Sequence, residues 1–218
     1  MNSAPRPMLF ALFFLGAKAL SSLSSPAAWA LYSTMDTGDL LETGEYQAQI
    51  SSQFMTQHSS GINIVGRFDS HFDPDANLRA IVGFGETDFQ LGAFVKWMPI
   101  PDFQRQPAMG LLMGLLYARD NDEDELNLRF HPLISKRFTA EFGDLTPYGS
   151  LPFGLRSRDG KVDFPLQVVV GTDFKPYQWD NLSVRLELGF NLAEAFSYVS
   201  LGLVLQIDEE KGIQFTSL

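Results

Sequence analysis

The side chains suited to chemistry are few. His58, His71 and His131 are the three histidines of a 218-residue chain, and there is no cysteine. In His71-Phe72-Asp73 the two-residue period of an extended chain places an imidazole and a carboxylate on one side, as an acid–base pair would require. Asp73 runs into Pro74, however, and the same residues read more simply as a turn. His58 precedes Ser59, and neighbours on an extended chain point to opposite faces. The run Asp120-Asn121-Asp122-Glu123-Asp124-Glu125 offers many oxygens, but a calcium loop of the EF-hand kind needs Gly at its sixth position and Glu at its twelfth, where Glu125 and His131 stand. It reads as a solvated hairpin tip. No phosphate loop, zinc motif or nucleophile elbow occurs, so neither metal nor cofactor is expected.

The elements that would position these groups are strands. A composition of 45% hydrophobic and 13% aromatic residues, with 18 Gly and 19 Phe, fits strands and tight turns and is too poor in Ala, Glu and Lys for a helical bundle. Leu182 to Asn191 alternates without exception, Leu182, Val184, Leu186, Leu188 and Phe190 opposing Ser183, Arg185, Glu187, Gly189 and Asn191. The same period recurs at 46–54, 89–97 and 199–207, and more weakly at 62–69, 78–85, 108–119, 126–138, 148–156 and 164–171. These make about ten strands separated by Gly, Pro, Asp and Ser turns, with no segment long enough for a crossover helix. Consecutive strands should then pair antiparallel in an up-and-down meander that closes on itself to remove its edges.

Residues 1–30 differ in kind. Arg6, the apolar run Met8 to Ala17 and the ending Ala28-Trp29-Ala30 have the order of a secretory signal peptide, and the run is about half the length of a membrane-spanning helix. Residues 31–43 form a short leader and 44–218 the barrel domain. Sixteen basic against 26 acidic groups give a net charge of -10, and losing residues 1–30 removes Arg6 and Lys18 but no acid. Such a chain has no surface for a phosphate backbone, so nucleic acid is not an expected partner.

Two arrangements share this pattern: a soluble barrel with the apolar face inside, or a membrane barrel with it outside. Aromatics bracket the apolar face about eight residues apart, Tyr46 with Phe54 and Phe89 with Trp97, with Tyr117 a partial case; tilted strands of that length match the roughly 25 Å apolar band between interfacial girdles. The polar face is rich in glycine, which leaves room in a narrow lumen. An exported acidic protein with a bare apolar band would aggregate unless lipid covered it. These features favour lipid outside. Arg67, Asp69, Arg79, Lys96, Arg129, Arg185 and Glu187 would then line the lumen, either cross-linked into a plug, the preferred reading at about ten strands, or lining a thin water path.

On the signal peptide, the dyad strands and the aromatic ends, the chain resembles the small outer-membrane β-barrel proteins of Gram-negative bacteria. The resemblance implies an outer-membrane location, surrounding lipid and lipopolysaccharide, assembly by the barrel-assembly machinery, and a non-enzymatic structural or porin-like role. Oligomeric state is left open. That class usually ends on an aromatic residue; here Phe215 lies near the end. With a periplasmic N-terminus, the connections near Pro99 to Pro107 and Lys175 to Asn181 fall on the periplasmic side, where short turns are expected. The alternative is a soluble periplasmic barrel holding an apolar ligand. A remote third reading is a membrane-embedded hydrolase, since His71 and Asp73 resemble a catalytic pair of the ten-stranded omptin proteases, and His58-Ser59 more distantly resembles the lipid A deacylases.

Overall fold

Strict alternation of apolar and polar residues cannot be buried on both sides, so each strand must present one face to a polar surrounding and one to an apolar one. A computed structural model describes residues 33–56, 61–120, 123–210 and 212. The signal segment 1–30, His58, Ser59, Asn121, Asp122 and Phe215 lie outside the described residues. Among the described residues thirteen hydrogen-bonded segments follow one another: β1 (Glu45–Met55), β2 (Ile62–Asp73), β3 (Ala76–Gly85), β4 (Phe89–Ile100), β5 (Ala108–Asp120), β6 (Glu123–Ser135), β7 (Phe138–Ala140), β8 (Gly143–Ser150), β9 (Phe153–Arg158), β10 (Lys161–Asp163), β11 (Leu166–Pro176), β12 (Leu182–Ala193) and β13 (Tyr198–Asp208).

Ten staves result, because three pairs of segments are collinear. β6 with β7, β8 with β9, and β10 with β11 each keep a single register against their neighbours. Pro152 and Pro165 stand in two of the three gaps, where a residue without an N–H interrupts the ladder but not the path of the chain. Every stave pairs antiparallel with the next in sequence, and β13 pairs back onto β1 from Glu45↔Asp208 to Met55↔Tyr198. The barrel is closed. All ten strands read from the sequence are present. Following the paired residues once around the wall returns to β1 displaced by about twelve residues, a stagger that sets a strand tilt of about 40° and an interior little wider than its own side chains.

The apolar face is outside. Leu186 is 43% exposed and Leu201 52%, whereas their neighbours Arg185 and Glu187 are 2% and 0% exposed. Ile50, Ile64, Phe68, Phe84, Leu91, Leu115 and Leu203 continue the outer belt. The interior holds Gln, Ser, Asn and ionised side chains, together with an apolar cluster of Val65, Ile81, Phe94, Leu112 and Leu116 on one wall. This polarity excludes the soluble barrel with an apolar interior and gives the fold of a transmembrane β-barrel.

Glycines on the inner face have a specific use. A Cβ at Gly171 would fall 2.3 Å from the Tyr148 ring and one at Gly189 would fall 2.1 Å from that of Tyr198, so both rings occupy space that glycine vacates. At Gly83 the vacated space is taken by Gln90, whose Nε2 would lie 2.5 Å from a Cβ there.

Connections 74–75, 101–107, 141–142 and 177–181 lie at the end where β1 begins and β13 finishes, the terminal end, and 86–88, 159–160 and 194–197 at the other. The longest connection therefore does sit at the terminal end, as the strand parity required. It is folded tightly on itself: Phe103 and Gln106 pair, Gln104 has a positive φ of 51°, and Lys136 Nζ donates to the Gln104 carbonyl at 2.6 Å. Introducing a charge into the belt tests the inversion. Leu186→Arg is expected to cost about 2–4 kcal/mol in lipid vesicles by denaturant titration, while an equally exposed residue outside a lipid belt would tolerate Arg at almost no cost.

Candidate functional site

Inside the barrel the site is built by the alternation itself, since every second residue of each strand must point into the lumen. Of the residues named from the alternation, Arg67 and Asp69 on β2, Arg79 on β3, Lys96 on β4, Arg129 on β6, and Arg185 and Glu187 on β12 are each buried. Arg79 and Asp69 form a two-point ion pair at 2.6 and 2.9 Å, and Gln47 donates to the same carboxylate at 3.1 Å. Arg185 meets Asp173 at 2.9 Å, and Arg67 donates to Ser51 Oγ at 2.6 Å. Arg156, not singled out from the sequence, is also buried, and so is Glu125, read there as part of a solvated hairpin tip.

The wall alone is not neutral. Arg67, Arg79, Lys96, Arg129, Arg156 and Arg185 are buried cations, against the buried carboxylates Asp69, Glu125 and Glu187 and the part-buried Asp163 and Asp173, which pair with Arg156 and Arg185. A further carboxylate comes from the leader. Residues 33–41 run through the lumen toward the terminal end of the barrel, and Ser33, Thr34, Met35, Asp36 and Thr37 are all buried. Asp36 sits among three cations of the wall, with Arg79 at 2.9 Å, Lys96 at 3.0 Å and Arg185 at 4.0 Å.

Glu187 holds the leader by its backbone. Its Oε1 accepts from Ser33 Oγ at 2.7 Å, Thr34 N at 3.0 Å and Tyr198 OH at 2.6 Å, and its Oε2 accepts from Met35 N at 2.5 Å and Tyr148 OH at 2.8 Å. Five donors saturate a group with about four lone-pair directions. Met35 adopts a left-handed backbone, φ 41°, and its carbonyl takes a hydrogen bond from Arg185 Nη1. Farther along, the Thr34 hydroxyl hydrogen-bonds His131 Nδ1 at 3.0 Å, Gly38 N donates to Ser135 Oγ at 2.8 Å, and Lys96 Nζ donates to the Asp39 carbonyl at 2.6 Å. At the mouth, Asp39 pairs with Arg137 at 2.7 Å beside a cleft of about 390 Å³ lined by Leu40, Met98, Pro101, Asp102 and Thr139.

The chemistry read at His71 is not assembled. Its Nδ1 is engaged with the Leu41 carbonyl at 2.9 Å, so the ring tethers the leader, and Asp73 is an exposed turn residue receiving the Asp75 N–H at 3.4 Å. A register irregularity between His71 and Asp73 also breaks the two-residue period that had placed them together. In the acidic hairpin, Glu123 pairs with Arg158, Asp124 accepts from Tyr117 OH, and Glu125 accepts from Asn127 within the lumen. Among the described residues no group of His and acidic side chains is placed to hold a metal ion.

On the outer face, Phe54 and Trp97 are exposed and Tyr46, Phe89 and Tyr117 half-buried; Tyr46 stacks on Phe68 at 5.8 Å and Phe89 packs against Phe84 at 5.4 Å. Tyr46 and Trp97 fall at the terminal end, and Phe54, Phe89 and Tyr117 at the other.

The fold and the filled lumen define a class: a β-barrel of the outer-membrane kind, closed by its own N-terminal segment. No family model and no curated protein sequence matches the chain. Among solved structures it is similar to an outer membrane channel from Pseudomonas putida F1, at 11% identity and a TM-score of 0.48 over 79% of this chain and 99% of that one. It is also similar to the translocator domain of the autotransporter NalP from Neisseria meningitidis, at 11% identity and 0.44 over 95% and 98%, and to the KdgM porin, at 8% and 0.41 over 73% and 98%. The likeness is one of fold, to Gram-negative outer-membrane barrels.

Two outcomes follow for the leader and its exit. Glu187→Gln places an amide donor among five donors and is expected to cost about 2–4 kcal/mol in a urea titration, with the leader newly open to protease. At the mouth, burial opposes ionisation of Asp102, but the Arg137 N–H at 2.8 Å and the Lys136 ammonium outweigh it and hold the carboxyl below the ordinary 3.8. A lowered value means that the contribution is present at neutral pH and is lost as pH falls through the lowered value. Proteolysis of the 101–107 connection should therefore accelerate only below about pH 4, and Asp102→Asn should remove that pH dependence.

Proposed function

We propose that the chain is an outer-membrane β-barrel of a Gram-negative bacterium with a non-enzymatic structural or gated small-solute permeability role. In this reading residues 1–30 direct export, the barrel-assembly machinery inserts the product, and lipid and lipopolysaccharide surround the apolar belt. The end of the barrel at Glu45 and Asp208 faces the periplasm. Tyr46 and Trp97 then sit at one headgroup level and Phe54, Phe89 and Tyr117 at the other, with amphipathic rings where water gives way to hydrocarbon.

The observation that carries the reading is the inversion of polarity: exposed Leu, Ile and Phe around the outside, and buried Arg, Lys, Glu and Gln within. In water such an outer surface drives association, and only a lipid annulus leaves it stable as a single barrel. The filled lumen supports a closed resting state. Permeability enters because residues 33–41 take no place in the strand ladder of the wall, so they can leave without opening the barrel.

Fractionation of expressing cells, followed by gel electrophoresis in SDS with and without boiling, tests the reading. Recovery in the outer-membrane fraction with a heat-dependent mobility shift is expected. Release by osmotic shock as a soluble protein would overturn it.

A further inference from the structure

Asp36 is surrounded by cations yet fits them poorly. Its Oδ1 takes an aligned hydrogen bond from Lys96 Nζ at 3.0 Å, with Arg185 Nη1 4.0 Å away. Its Oδ2 lies 2.9 Å from Arg79 Nη2 but receives no aligned hydrogen bond. The carboxylate is tethered at both sides, by Glu187 to Thr34 and Met35 and by Lys96 to the Asp39 carbonyl, so it cannot turn to suit the guanidinium planes. A free oxyanion could take the planar two-point contact that guanidinium offers.

The donors continue beyond this socket. Arg67, fully enclosed, has two N–H-bearing nitrogens, Nε and Nη2, without a protein partner. Buried donors of this kind need an acceptor that the wall does not supply.

We propose that Arg79, Lys96 and Arg185 form a binding site for a small oxyanion, a carboxylate or a phosphate, which Asp36 fills from within the chain while the lumen is shut. When the leader withdraws, the site takes the external anion, and Arg67 extends the path. The inference rests on the reading of the chain as a membrane barrel with a displaceable leader.

The test is conductance of the full chain in planar bilayers under a KCl gradient, for the wild type and for Asp36→Asn, with inorganic phosphate or acetate added to one side. Asp36→Asn is expected to raise the open fraction about tenfold. The current should carry chloride in preference to potassium and be blocked by phosphate or acetate, the stronger blocker naming the source of the oxyanion. Adding Lys96→Gln should weaken that block about tenfold. In the wild type, the same anions should raise the rare openings by competing with Asp36. Gly38→Val supplies a second route: a Cβ there would lie 2.5 Å from Ala108 Cβ, displacing the leader while leaving the three cations intact.

A heat-shifting, inserted Asp36→Asn or Gly38→Val that stays closed, prefers potassium, or conducts without regard to either anion overturns the proposal alone. If neither variant folds, wild-type openings that prefer potassium or ignore both anions do the same. A chain that neither inserts nor shows the heat shift fails as a membrane barrel, and the anion site with it.

Discussion

Charge in a narrow, water-poor lumen has to be neutralised from within, and the wall of this barrel does not do it unaided. Arg79 is shared between Asp69 of its own sheet and Asp36 of the leader, and Lys96 is directed at Asp36 and the leader carbonyls. Removing the leader would leave these cations facing one another in a space with little solvent, a cost that holds the segment in place. Glu187 solves the complementary problem. Its charge is spread over hydrogen bonds from two tyrosines, a serine and two successive backbone N–H groups, so the leader is gripped by side chain and main chain together.

The rest of the architecture follows from that filled interior. Ten strands at the observed stagger enclose a lumen that side chains can nearly close, and glycine at 171 and 189 lets Tyr148 and Tyr198 lie across the neighbouring strand and reach Glu187. The outer surface is free to be largely apolar because most polar groups are consumed within. The anion-binding character of the socket arises from the same imbalance: a wall with surplus cations is neutral only while its own carboxylate is docked.

Much of this was legible in the sequence. Alternation at Leu182 to Asn191 and its repeats gave the strand count and, through Arg67, Asp69, Arg79, Lys96, Arg129, Arg185 and Glu187, the inner face, because a two-residue period leaves a side chain no third choice. The dyad at His71 and Asp73 failed for a local reason: a register irregularity at the strand end cancels the period on which the pairing depended. From the sequence, residues 31–43 show only as a short leader, since an extended segment without alternation carries no signal of where it docks. Charge offered one. The inner faces named from the sequence hold five cations and two acids, and the acids of Asp36 and Asp39 stand immediately before the first strand.

The placement of the leader is the claim on which both the closed lumen and the anion site depend. Methyl NMR of the full chain in lipid nanodiscs, with Met35 assigned through Met35→Leu, tests it most directly, because Met35 is fully buried and its sulfur lies 3.8 Å from Tyr148 OH. The expected result is a Met35 methyl resonance with cross-peaks to the aromatic protons of Tyr148 and no broadening by a water-soluble paramagnet. A sharp Met35 methyl without those cross-peaks and broadened by the paramagnet, in a barrel that is otherwise folded, would place the leader outside the lumen and contradict the account.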